Sequence, residues 1–249
     1  MIVVLSGEGP SDLGQCTNSQ SECSIPEFAP GPMTIVADKA IAMSLGYSML
    51  ELTPDRYIYL SEEKLQKLNE IRKSRSRGMS LVGKGREQET GYFHVNAWIL
   101  GLAALECETN FPGEKVIAIM FRDADGTRAN VKGLWEVKWK SMHTGFQRSA
   151  LGERGVPMIP KPKSEVWMLC AAKSDPYQNC AKLEELSGND KSPKSAKSKL
   201  SQALAGRDSA LEQRQWVEDN DFDIQAVATQ MSSFAQFMGD LRKAIDLTQ

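Results

Sequence analysis

The chain has 249 residues, enough for one large domain with a single sizeable core. At 41% hydrophobic and 25% charged it is neither collagen-like, nor a coiled coil, nor wholly disordered. Its 30 Lys and Arg against 32 Asp and Glu give a formal charge of -2, which excludes a uniformly cationic nucleic-acid coat and leaves room for local basic patches.

Ile2 to Leu5 form an apolar, largely β-branched run that stops at Ser6-Gly7-Glu8-Gly9-Pro10, so a strand delivers Glu8 to a tight turn. This opening is too short to read as a signal peptide, and no window approaches the length of a membrane helix. Gly14 to Pro32 is polar and rich in Ser, Pro and Gly, as an exposed loop would be. It carries Cys16 and Cys23, two of five cysteines, and the odd count without a zinc-type pattern predicts reduced thiols in the cytoplasm. A disulfide or a metal at Cys16 and Cys23 is the alternative.

The spacing of Ile35, Val36, Ala40, Met43 and Leu45 predicts a helix stopped by Gly46. From Met49 to about residue 86 the pattern reads as an insertion, with Tyr57 to Leu60 strand-like and Ser61-Glu62-Glu63 starting a helix. Its end is basic and bears glycines: Lys73, Arg75, Arg77, Lys84 and Arg86 either contact a DNA backbone without reading sequence or form a solvated loop. Phe93, Ala97, Leu100 and Ala104 predict a buried helix, and Val116 to Phe121 is a continuous apolar run expected of a strand covered on both faces. That strand feeds Arg122-Asp123-Ala124-Asp125-Gly126. A helix through Met142, a strand from Val156 to Ile159, the turn Pro160-Lys161-Pro162-Lys163 and a helix capped by Ser164 follow. The predicted architecture is α/β, an open, mostly parallel sheet flanked by helices over residues 1–175, with a helical C-terminal extension over 176–249.

In such sheets, sites form beyond the carboxyl ends of the strands, where Glu8 and the Asp123/Asp125 pair are expected together. Clustered carboxylates repel one another and form an oxygen-rich pocket that suits Mg²⁺ or Mn²⁺. Asp221 and Asp223 repeat the Asp-x-Asp spacing but read as a helix cap. Lys161 and Lys163, beyond the last strand, are placed to neutralise a phosphate. His94 and His143 lack acidic or cysteine neighbours at ligand spacing and read as structural.

The strand followed by Gly7-Glu8-Gly9-x-x-Asp12, the strand followed by Asp123-x-Asp125-Gly126, and Glu165-Val166-Trp167 opening a later helix together resemble the TOPRIM domain. The pattern is similar to small TOPRIM proteins related to the overcoming-lysogenization-defect nucleases. The resemblance implies a divalent-metal-dependent DNA nuclease in which Asp123 and Asp125 hold Mg²⁺ or Mn²⁺ and Glu8 holds a metal or handles a proton. Asp12 and, more weakly, Glu165 would complete a second site, giving two ions. It also implies DNA as partner, an ATPase partner in phage defence, and leaves a homo-oligomer open. Two rivals stand beside it. Asp123-Ala124-Asp125-Gly126-Thr127 matches a haloacid-dehalogenase-like phosphatase motif with Asp123 as nucleophile, and a TOPRIM-like fold could serve as a non-catalytic subunit of an ATPase complex.

Overall fold

The computed structural model describes residues 1–75, 90–124, 133–220 and 222–249. Its strands are β1 (Ile2–Gly7), β2 (Gly14–Cys16), β3 (Glu22–Ser24), β4 (Phe28–Pro30), β5 (Tyr57–Leu60), β6 (Val116–Phe121) and β7 (Gly155–Met158). The helices are α1 (Pro32–Leu45), α2 (Met49–Leu52), α3 (Glu62–Arg75), α4 (Thr90–Thr109), α5 (Leu134–Arg148), α6 (Glu165–Ala172), α7 (Ala196–Ala203), α8 (Ala210–Asp219), α9 (Ile224–Gln230) and α10 (Ser232–Asp246). A mixed five-stranded sheet has the order β3-β5-β1-β6-β7, with β3 antiparallel and the other pairings parallel, while β2 and β4 form a small hairpin-like pair.

Successive strand residues face opposite sides, and each side is covered. Val3, Leu5, Ile117, Ile119 and Phe121 enter one core with α1 and α6 to α10, whereas Ile2, Val4, Val116, Ala118 and Met120 enter the other with α3, α4 and α5. This is why β1 and β6 read as unbroken apolar runs rather than as alternating ones.

Three expectations are corrected here. The described part of the stretch read as an insertion, Met49 to Arg75, is built into the sheet, because β5 within it pairs with β1 from Val3↔Tyr57 to Ser6↔Leu60. Residue 175 does not divide the core either: Trp167 is fully buried, its ring lies 4.8 Å from that of Phe234, and its indole N–H donates to Ser233 Oγ at 2.9 Å. Amphipathic helices after residue 175 look autonomous in sequence, but their apolar faces are what covers one side of the sheet. The cysteines depart from the reduced reading, since Cys16–Cys23 and Cys170–Cys180 are disulfides and Cys107 is free and buried. The second pair joins residues ten apart across the turn after α6, a proximity that linear spacing does not reveal. Among the described residues no helix is long and apolar enough to cross a membrane.

Candidate functional site at the carboxyl rim

β1 and β6 run in register from Ile2↔Val116 to Gly7↔Phe121, so Glu8 and Arg122 leave the sheet side by side. The Glu8 amide still donates to the Phe121 carbonyl at 3.3 Å. Glycine is required just before it: a Cβ on Gly7 would lie 2.5 Å from the Phe121 carbonyl oxygen and 2.8 Å from its Cβ. Gly9, at φ +77°, then turns the chain with a conformation that other residues adopt only under strain.

Two connected groups of side chains occupy this rim. In the first, Arg122 Nε lies 3.4 Å from Glu8 Oε2 and its Nη1 3.0 Å from Glu62 Oε1, with the guanidinium 4.0 Å above the Tyr92 ring. The Tyr92 hydroxyl donates to the same Glu62 oxygen at 2.7 Å. Glu62 stands here because α3 starts directly after β5, with the Lys64 amide bonded to Ser61 Oγ at 3.3 Å, as the sequence predicts for that helix start. Beside this group opens a cleft of about 330 Å³ lined by Gly7, Gly9, Gln15, Ser19, Ser61 and Glu62 among others.

The second group is organised by Ser164. Its amide donates to Asp123 Oδ1 at 2.9 Å and its hydroxyl donates to Asp12 Oδ1, whose other oxygen accepts from Ser11 Oγ at 3.1 Å. Ser164 is therefore not a side-chain cap of α6: its hydroxyl is turned to Asp12, and its backbone is already helical. Burial pushes the Asp12 carboxyl up from its ordinary value, opposed by the hydrogen bonds from Ser164 and Ser11 and by the charges of Lys163 and Lys197. Burial also pushes Glu165 up, with Asp12 and Asp190 adding to the rise and Lys163 opposing it. Glu165 Oε2 is buried with no hydrogen-bond partner among the described residues. Lys163 Nζ lies 2.9 Å from Asp190 Oδ1, while Lys161 stays partly exposed on the same turn.

The rim thus gathers Glu8, Asp12, Asp123, Lys161, Lys163 and Glu165. Asp125, Arg77, Lys84 and Arg86 lie outside the described residues, and Arg75 is the last residue of α3. Among the described residues no three His, Cys, Asp or Glu side chains converge as a metal site. The oxygen donors present, one of them orphaned, are of the kind a hard divalent cation takes. Asp223 accepts from the Ala226 amide at 2.8 Å and caps α9, as its place in the sequence predicts, and Asp221 lies outside the described residues. His94 bonds Thr144 Oγ1 at 3.1 Å and His143 stacks on Trp139, both away from the rim.

Sequence reading missed Arg122, Glu62, Ser164 and Asp190. Arg122 and Ser164 adjoin residues already singled out, which is a usable signal. Glu62 and Asp190 come from segments read as an insertion and a polar break, and only folding brings them to the rim. Comparison with protein families, with curated proteins and with solved structures finds no match to this chain.

Proposed function

We propose that the chain is a divalent-metal-dependent nuclease of the TOPRIM type that cleaves DNA phosphodiester bonds. The observation that carries this reading is that two neighbouring parallel strands release Glu8 and Asp123 at one rim, with Asp12 tied to Asp123 through Ser164. In this reading Asp123 and Asp125 hold Mg²⁺ or Mn²⁺, Glu8 holds a metal or handles a proton, and Asp12 and Glu165 complete a second site. Such a pair of ions, when bound, supplies an activated water and stabilises the leaving oxygen of an in-line displacement.

The chain's own residues have distinct parts. Arg122 holds Glu8 against Glu62, so Glu8 is oriented before substrate arrives. Ser164 keeps Asp12 and Asp123 in fixed relation. Lys161 and Lys163 offset the charge of a phosphate brought to the acids, and Arg75, Arg77, Lys84 and Arg86 contact the DNA backbone. An ATPase partner and a role in phage defence belong to the same reading. A cytoplasmic location belongs to the same reading, and the two disulfides weigh against it.

The test is supercoiled plasmid incubated with the purified protein in Mg²⁺ or Mn²⁺, with and without chelator. Cleavage should require the metal, and Glu8→Gln and Asp123→Ala should each lower its rate by at least about 100-fold, the scale of losing one electrostatic group from a transition state. Thermal melting establishes that both variants are folded. Wild-type rates in folded variants would overturn the assignment.

A further inference from the structure

α5 carries a lysine that the acidic site does not account for. Lys138 is fully buried, and no other lysine or arginine among the described residues is. Burying such a side chain is costly unless its polar end is bonded. Lys138 Nζ donates to the Ala124 carbonyl at 2.9 Å and lies 5.3 Å from the centroid of the Phe93 ring. Ala124 directly follows Asp123 and precedes Asp125.

The bond belongs to a wider grip. One turn earlier on the same helix, the Trp135 indole N–H donates to the Ile159 carbonyl at 2.9 Å. Ala124 and Ile159 lie on the segments that leave β6 and β7, and those segments are themselves joined by the Ala124 amide to the Pro160 carbonyl at 3.0 Å and the Arg122 amide to the Met158 carbonyl at 3.0 Å. Parallel pairing therefore continues past the ends of the strands, and α5 holds both segments from below. Held at both its carbonyl and its amide, Ala124 is restrained in orientation, and its amide shares a planar peptide unit with Asp123, which carries a carboxylate of the rim.

We propose that Lys138 is a positioning residue of the acidic rim, one that fixes the Asp123–Ala124 backbone from within the core without touching substrate. What that rim binds rests on the nuclease reading; the positioning itself does not. The experiment uses the full chain with Lys138→Met and Lys138→Arg, read by thermal melting, hydrogen exchange of peptides covering Phe121 to Ala124, titration with Mn²⁺, and plasmid cleavage. Lys138→Met should speed exchange in that segment and weaken Mn²⁺ binding by roughly 10- to 100-fold, the usual loss when a group supporting a metal ligand is removed. It should lower kcat with KM for DNA unchanged, and Lys138→Arg should restore most of the Mn²⁺ affinity.

A folded Lys138→Met protein with wild-type exchange and wild-type Mn²⁺ affinity would overturn the inference. If the wild-type protein neither binds Mn²⁺ nor cuts DNA, the nuclease reading fails, and exchange alone decides the positioning role: faster in Lys138→Met supports it, unchanged overturns it. Should Lys138→Met not fold, Lys138→Gln, whose side chain is shorter but polar, is judged by the same outcomes.

Discussion

Asp12 and Glu165 are the residues whose titration reports most directly on the rim. Burial raises both above their ordinary values of 3.8 and 4.5. An acid with a raised folded pKa binds its proton more tightly in the native state, so it costs stability as pH climbs from the ordinary value through the folded one. In chelator, the melting temperatures of Asp12→Asn and Glu165→Gln should therefore gain on wild type as pH rises from about 4 to about 8. Parallel melting curves across that range would show that these carboxyls are not burdened by burial. Added Mn²⁺ should stabilise wild type and leave the variants less affected, since a ligand that binds the native state alone stabilises it by mass action.

At the scale of elements, the site depends on how closely β1 and β6 approach where they end. Gly7→Ala would place a methyl against the Phe121 backbone, and overpacking of this kind costs about 1–3 kcal/mol. The clash lies one residue before Glu8, so denaturant unfolding should register the lost stability and plasmid cleavage should fall with it; an unchanged midpoint would mean that the strands part without cost. The basic stretch after α3 is a matter of affinity rather than of the site. If Arg75, Arg77, Lys84 and Arg86 contact phosphates, replacing all four with Ala should weaken DNA binding for every sequence and flatten the log–log salt slope by about 0.9 per lost contact. An unchanged slope would assign that stretch to solvent.

For the molecule as a whole, the C-terminal helices bear on folding before anything else. Phe234 is fully buried and packs edge-on against Trp167, so Phe234→Ala should cost about 3–5 kcal/mol by denaturant unfolding. A chain cut after residue 175 should fail to give a cooperative transition, because one face of the sheet would lie bare. The disulfides are tested on the intact protein: alkylation of the denatured, unreduced chain should modify Cys107 alone, whereas five modified cysteines would return the chain to the reduced state that its sequence suggests.

Local pattern sufficed for the strands Ile2 to Leu5 and Val116 to Phe121, for the turn at Glu8, for Asp123 at a strand end and for the cap at Asp223. Each depends on side-chain periodicity or turn chemistry within a few residues, which is written in order along the chain. Tertiary structure alone decided that β5 joins β1, that Glu62 and Arg122 flank Glu8, that Ser164 bridges Asp12 and Asp123, and that Lys138 reaches Ala124 from the core. Those pairings span from 14 residues, Ala124 to Lys138, to 152, Asp12 to Ser164.

 Contacts at such separation are set by which apolar faces bury against one another and by the order in which parallel strands pair, and neither is encoded in any short window of sequence. The two disulfides follow the same rule, since they depend on where the turns of the fold bring the sulfurs rather than on how many residues lie between them.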